Sequence, residues 1–407
     1  MIIPPARRTA SVQEYYFSRK LKEIASINRE NAAAGRAAVI NLGIGAPDGM
    51  PPAGAIRALV DAAPRPDVHA YQSYVGFEAL REAFAGWYRR YYGVTLDPAC
   101  EIQPLVGSKE GILLTALAFL DEGDGVLVPD PGYPTYTSAS LLTQARILRY
   151  DLREENGWQP DFEALERMDL AGVKLMWVNY PHMPTGASAT PELYRKIVDF
   201  ALRHRILVVN DNPYSFILND RPLSILATPG AAECCLELNS LSKAHNMSGW
   251  RVGMIAGDRE LVAQVLKVKS QMDSGMFKPL QLAAVEALAQ GPEWFRDLNA
   301  VYARRKRAAG AIFDLLGVRY DPGAAGLFLW GRVGADNPYA ALTPAGEKSL
   351  GERVSDTVLY RSGVFITPGF IFGKNGENYV RISLCAKEEV LSQARERIER
   401  ILNNPGI

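Results

Sequence analysis

The sequence predicts an α/β protein: a large domain with a doubly wound, mainly parallel sheet, and a smaller α+β domain. Three observations carry this. Short apolar runs alternate with segments of helical period from about residue 100 to 272, the pattern of strand–helix–strand units. Stretches rich in Gly, Pro, Ser and Asp fall just after those runs, where loops at the carboxyl ends of parallel strands lie. From about residue 280 the alternation gives way to a long helical pattern and scattered short strands. The division expected is 1–50 for an N-terminal arm and part of the small domain, 51–295 for the large domain and 296–407 for the small C-terminal domain.

A chain of 407 residues has room for both domains. Apolar residues make up 48% and charged residues 22%, ordinary globular values. Lys plus Arg (45) equals Asp plus Glu (45), so nothing points to nucleic acid or an anionic membrane as partner. Cys100, Cys234, Cys235 and Cys385 lack metal-ligand spacing and read as reduced thiols. The first residues hold too short an apolar run for a secretion signal, and no stretch approaches the ~18 apolar residues of a membrane span. A cytoplasmic protein is expected.

Taken in order, Tyr16, Leu21, Ile24 and Ile27 recur at helical spacing and predict an amphipathic helix within 11–31. Val39–Leu42 reads as a strand entering Gly43-Ile-Gly-Ala-Pro-Asp48. The proline at 47 argues against a dinucleotide loop and leaves a glycine turn with free N–H groups. Helices follow at 53–63 and 77–92, with the loop Tyr71–Gly76 between them. Ile102–Val106 is strand-like and runs into Gly107-Ser-Lys-Glu-Gly111 and an apolar helix to Leu120. Strand, Gly-Ser turn and helix make a phosphate cradle, or equally an ordinary turn capped by Ser108. Strand Val126–Val128 leads to Asp130-Pro-Gly-Tyr-Pro-Thr-Tyr136, whose two tyrosines suit stacking on a flat ring.

Strands at Ile147–Tyr150, Leu175–Asn179, Ile206–Val209 and Leu236–Leu241 continue the pattern, with helices at 160–168, 191–204 and 258–272. A long helix is expected near 281–316, then a strand at Ala325–Trp330 and a helix at 346–362. Strands Val364–Ile366 and Tyr379–Leu384 and a charged helix at 387–402 complete the chain.

The chemistry gathers at residues 240–253, Ser-Leu-Ser-Lys-Ala-His-Asn-Met-Ser-Gly-Trp-Arg-Val-Gly. Lys243 is an amine on a turn, and Ser240, Ser242 and Arg251 offer the hydroxyls and fixed charge a phosphate needs. An amine beside a phosphate site suits a Schiff base to a phosphorylated aldehyde, pyridoxal 5'-phosphate. A polar surface loop with one exposed lysine is the plainer reading of the same stretch. Asp211 follows a strand and suits a protonated pyridine nitrogen; Tyr214 suits a ring oxygen.

The order Gly-Ser-Lys-Glu-Gly, Pro-Gly-Tyr-Pro, Pro-Thr-Gly, Asp-x-x-Tyr and Ser-x-Ser-Lys resembles the class I/II aminotransferases, fold type I pyridoxal-phosphate enzymes, over about residues 35–400. It looks most like their LL-diaminopimelate aminotransferase-like branch. The resemblance implies a homodimer with shared active sites, and an amino group passed between an L-amino acid and a 2-oxo acid by ping-pong kinetics. It implies that Lys243 forms the Schiff base and moves the α-proton, that Asp211 pairs with the pyridine nitrogen, and that Tyr214 contacts the phenolic oxygen. Tyr133 is implied on the ring face. Gly107, Ser108, Lys109 (by its main-chain N–H), Ser240, Ser242 and Arg251 are implied around the phosphate. Tyr71 is implied to reach the phosphate of the other subunit. Arg381 is implied to grip the substrate α-carboxylate, and Gly45 to offer it a main-chain N–H. Side-chain selection is expected from residues of several loops and of the partner chain, such as Tyr16, Tyr74 and Phe277.

One position departs from the family pattern: Met183 stands where Asn-Pro-Thr-Gly has its asparagine. A thioether donates no hydrogen bond to the phenolic oxygen. Tyr214 alone, Asn179 or His182 is left to serve there. A C–S lyase or decarboxylase would share every cofactor contact, and a non-catalytic binding protein is the alternative outside enzymes.

Overall fold

A computed structural model describes residues 3–344 and 346–403. In chain order, β1 (Ile40–Asn41) precedes the strands of a central sheet: β2 (Ile102–Leu105), β3 (Gly125–Asp130), β4 (Arg146–Asp151), β5 (Val173–Val178), β6 (Leu207–Asp211), β7 (Cys235–Ser240) and β8 (Gly253–Gly257). The last third holds β9 (Val318–Tyr320), β10 (Phe328–Val333), β11 (Val364–Phe365), β12 (Thr367–Pro368) and β13 (Tyr379–Ser383). The central sheet has the order β2-β8-β7-β6-β5-β3-β4. Its β4, β3, β5, β6 and β7 pair in parallel, whereas β8 runs antiparallel to both its neighbours.

Burial explains why these strands read as unbroken apolar runs. Leu127, Met176 and Val208 pack with Ile197 and Phe200. Their neighbours Val126, Leu175 and Val209 belong to a separate cluster with Ile112 and Val262. Period-two alternation thus sends adjacent residues to opposite faces, and helices cover both. Edge strand β4 is exposed along much of its length. Caps set the helix starts: Thr190 accepts from Leu193 N ahead of Pro191–His204, and Asp258 from Glu260 N ahead of Arg259–Lys269.

The second sheet runs β12-β13-β10-β9, antiparallel throughout. β1 and β11 form a separate two-stranded parallel sheet, and the N-terminal segment is tied to the second sheet by Ser383 N, which donates to Leu42 O at 2.8 Å. Asp48 then meets Arg305 in a two-pronged ion pair of 2.7 and 3.1 Å. The loop at 374–375 is tied to the end of β3 by two main-chain N–H bonds to the Asp130 carboxylate, both 3.0 Å.

Several expected boundaries shift for physical reasons. The helix expected over 281–316 is two helices, Lys278–Leu288 and Pro292–Leu315, because Gly291-Pro292 ends one ladder and starts the next. Strand β8 had no counterpart in the sequence reading; its glycine-bounded run is too short to stand out, and only its buried position between β2 and β7 makes it a strand. The first long helix spans Tyr16–Ala33, and Arg7–Ala10 form a separate turn. The helix expected from 346 starts at Leu350, where Ser349 caps it. The strand expected at 325–330 is displaced to Phe328–Val333, Gly326 having φ +83°. Asp211 is the last residue of β6 rather than part of the following loop.

Among the described residues no helix is long and apolar enough to cross a membrane, and no group of three or more His, Cys, Asp or Glu side chains could hold a metal ion. All four cysteines are free thiols.

Candidate active site

The carboxyl ends of β2, β3, β5, β6 and β7 open onto one cavity of about 340 Å³. Its lining includes Ser108, Lys109, Tyr133, Asp211, Tyr214, Ser240, Ser242, Lys243 and Arg251 from the central sheet's loops. Gly45 and Arg381 reach it from the N-terminal segment and β13. The fold therefore brings together eleven of the thirteen residues singled out in the sequence. Gly107 is immediately adjacent. Tyr71 is 91% exposed and lies outside the cavity.

Lys243 stands just past β7, and its Nζ donates to Gly45 O at 2.6 Å. Burial lowers its pKa below the usual lysine value, and the charges of Arg381 and Arg251 add to this while Cys385 and Asp211 oppose it. Asp211 is buried. Its Oδ2 accepts from the Tyr136 hydroxyl at 2.9 Å, and its Oδ1 has no partner. Burial raises this carboxyl to about 6, against the pull of Tyr136 and Lys243. Tyr214 sets its ring edge-on to Phe328 at 6.0 Å, and burial raises its phenol above the usual range.

Gly107 has φ +79° and no Cβ, which lets Arg251 lie against it; a Cβ there would sit 2.1 Å from Arg251 Nη2. Arg251, itself at φ +56°, donates through Nη1 to Ser248 O at 2.9 Å and to Ser242 Oγ at 3.3 Å. Ser240 Oγ accepts from Ser242 N at 2.9 Å. The helix Ser108–Phe119 starts here with no side-chain cap on its first N–H groups. Unpaired N–H groups, two hydroxyls and a guanidinium form a cradle for a dianion. The Lys109 ammonium lies 5.0 Å over the Tyr15 ring.

Arg381 is buried without a carboxylate. Its Nη2 donates to Gly43 O at 2.8 Å, its Nη1 to Met183 Sδ at 3.3 Å, and its Nε has no partner. Phe328, Phe372 and Phe17 surround the guanidinium at 3.8, 4.7 and 5.6 Å. Burial lowers its pKa to about 10, which leaves it a cation at neutral pH. A desolvated fork with free donors suits an incoming carboxylate.

The structure corrects some expectations and adds residues the sequence did not yield. Tyr16 does not line the cavity; it packs on Phe370 and Phe17, while Tyr15 and Phe17 face the site. Tyr15 immediately precedes the helix, a position that helical spacing does not govern. Tyr74 and Phe277 lie outside this chain's cavity, which leaves open the expected contribution to a partner's site. His182 is buried, bonds Thr185 Oγ1 at 2.8 Å through Nδ1, and does not line the cavity; burial lowers its pKa to about 3. Asn179 lines the cavity, but its amide is engaged with Asp211 O and, at 2.8 Å, with Met183 N. Of the two tyrosines expected to stack on a flat ring, Tyr136 stacks on Trp177 at 5.2 Å and bonds Asp211. No sequence signal marked Phe17, Phe328 or Phe372 as the box around Arg381.

The family model for aminotransferases of class I and II matches residues 37–398. The chain is 38% identical to an LL-diaminopimelate aminotransferase of Nitratidesulfovibrio vulgaris (strain DSM 19637 / Miyazaki F), over 97% of this chain and 98% of that protein. It is 39% identical to one of Aquifex aeolicus, over 89% and 91%. Among solved structures, apo-BacF from Bacillus subtilis superposes with a TM-score of 0.90 at 33% identity, covering 98% of both chains. An aromatic aminotransferase from Pyrococcus horikoshii OT3 gives 0.82 at 28% identity, covering 92% and 99%.

Gly107→Ala is expected to push Arg251 out of the cradle and weaken binding of inorganic phosphate by about tenfold. Isothermal titration of both proteins with phosphate checks this; equal affinities would show that Arg251 does not hold the anion.

Proposed function

Since the chain belongs to the class I and II aminotransferases, pyridoxal-phosphate-dependent transferases of nitrogenous groups, we propose that Lys243 is the residue through which it moves an amino group from an L-amino acid to a 2-oxo acid. One observation carries this reading: the Lys243 amine, the unpartnered Asp211 Oδ1 and the carboxylate-free Arg381 open onto a single cavity. The residues fit the cofactor. A protonated pyridine nitrogen answers the orphaned oxygen of Asp211, and a phosphate answers the cradle at Gly107, Ser108, the Lys109 N–H, Ser240, Ser242 and Arg251.

When bound, pyridoxal 5'-phosphate supplies an aldehyde that condenses with amines and a ring that takes up electron density from the substrate Cα. The chain supplies the rest. Lys243, kept below the usual lysine range by burial, removes the proton at the donor Cα and, in the second half-reaction, delivers one to the Cα of the acceptor. Asp211 stays anionic beside a cationic nitrogen and so keeps that nitrogen protonated. Arg381 binds the α-carboxylate with the Gly45 N–H. Tyr133 covers the ring, and Tyr214 donates to the phenolic oxygen. Asn179 is engaged with Asp211 O and Met183 N, His182 does not line the cavity and Met183 turns its sulfur to Arg381, so Tyr214 holds that oxygen without a second side-chain donor.

The arrangement of domains belongs to the same proposal: 51–295 as the cofactor-binding domain, with 1–50 and 296–407 contributing the smaller one. So does a cytoplasmic homodimer. Tyr71, Tyr74 and Phe277 are exposed and do not line their own chain's cavity, as expected of residues that complete a partner's site. The expected mass in solution is about twice the 44.7 kDa chain mass. Light scattering that returns a monomer would remove the shared-site arrangement.

Lys243→Ala is expected to abolish the yellow band of the cofactor-soaked protein that borohydride bleaches, and to lower turnover by about a thousandfold or more. Retention of that band in the variant would assign the Schiff base to another amine. Initial rates with varied amino acid and 2-oxoglutarate are expected to give parallel double-reciprocal lines. Intersecting lines would place both substrates on the enzyme at once.

A further inference from the structure

Tyr136 has a place in the site that neither stacking on a flat ring nor core packing accounts for. Its side chain is 1% exposed, on the helix Pro134–Leu142, and its ring lies parallel to Trp177 with an interplanar angle of 7°. Trp177 is itself pinned, its Nε1 donating to Ser140 Oγ at 3.3 Å. Tyr133 meets it edge-on at 5.5 Å. A ring so held has one free variable, the direction of its hydroxyl, and that hydroxyl donates to Asp211 Oδ2.

Asp211 has no other side-chain partner among the described residues. A carboxylate on two single bonds rotates unless something fixes it. We propose that Tyr136 is a positioning residue: its hydroxyl fixes the plane of the Asp211 carboxylate so that Oδ1 is the oxygen presented to the pyridine nitrogen. This rests on the cofactor reading above. The bond also favours the charged form of Asp211, since a donor to a carboxylate stabilises the anion. The groups facing Asp211 are Tyr136, Lys243 from beyond β7, Tyr214 after β6 and, more weakly, Glu237 on β7. Removing the hydroxyl leaves Lys243 alone against burial and Glu237, and the carboxyl rises further. The acid limb of activity then moves to higher pH.

The test uses the full-length protein freed of cofactor and titrated with pyridoxal 5'-phosphate, with protein fluorescence as the signal. Tyr136→Phe keeps the ring and its stack on Trp177, and a thermal melt verifies the fold. The expected result is an approximately tenfold weaker Kd and an acid limb displaced upward in the pH–rate profile. A double-mutant cycle separates positioning from packing: in an Asp211→Asn background the loss on Tyr136→Phe is expected to shrink severalfold. An unchanged Kd and acid limb in Tyr136→Phe, or the same tenfold loss in both backgrounds, would overturn the proposal. A wild-type protein that takes up no cofactor would remove the functional reading and this one together, whereas normal uptake with an indifferent Tyr136→Phe removes this one alone.

Discussion

A carboxylate and a guanidinium share one cavity in this molecule and neither is ion-paired. Asp211 and Arg381 are 5% and 4% exposed, yet among the described residues neither forms an ion pair with another side chain. Burying a charge without a counter-charge is costly, and an ion pair between the two would be the cheap solution. The fold prevents it by mounting them on different sheets. Asp211 ends β6 of the central sheet, and Arg381 sits in β13 of the second. Each is left to answer a ligand: one a cation on a ring, the other a carboxylate.

The contrast with Glu237 sharpens the point. Glu237 lies on β7, in register with Asn210, one residue from Asp211. It too is a buried carboxylate, but four groups donate to it: the Tyr88 and Ser224 hydroxyls, the Asn210 amide and the Ile225 N–H. Its charge is satisfied within the protein and has nothing left to offer. Asp211 receives one donor and keeps one oxygen bare. Two buried carboxylates on adjacent strands thus do different work, one bracing the core and one holding capacity in reserve for a ligand.

Arg381 depends on a longer chain of contacts. Its Nη2 reaches Gly43, whose segment is fixed by β1 on β11, by Leu42 against Ser383, and by Asp48 on Arg305. The same segment presents the Gly45 carbonyl to Lys243. Small residues are needed along it. A Cβ at Gly45 would lie 2.3 Å from Phe328, the ring closest to the Arg381 guanidinium. The N-terminal arm is therefore part of the site's wall.

The sequence by itself determined the alternating sheet and the ordered set of groups at strand ends, from Gly107-Ser108 to Lys243 and Arg251. These are local properties: apolar runs declare strands, and a lysine between serines declares its chemistry without reference to distant residues. It did not determine β8, whose strand identity comes from the neighbours that bury it, nor the break at Pro292, which a continuous apolar period conceals. Only the tertiary structure decided that Tyr136 serves Asp211 from 75 positions away, that Tyr15 and not Tyr16 faces the cavity, and that Met183 turns its sulfur to Arg381. Such pairings depend on where two separate elements come to rest against each other. That relation arises from packing in three dimensions and leaves no periodic trace along the chain.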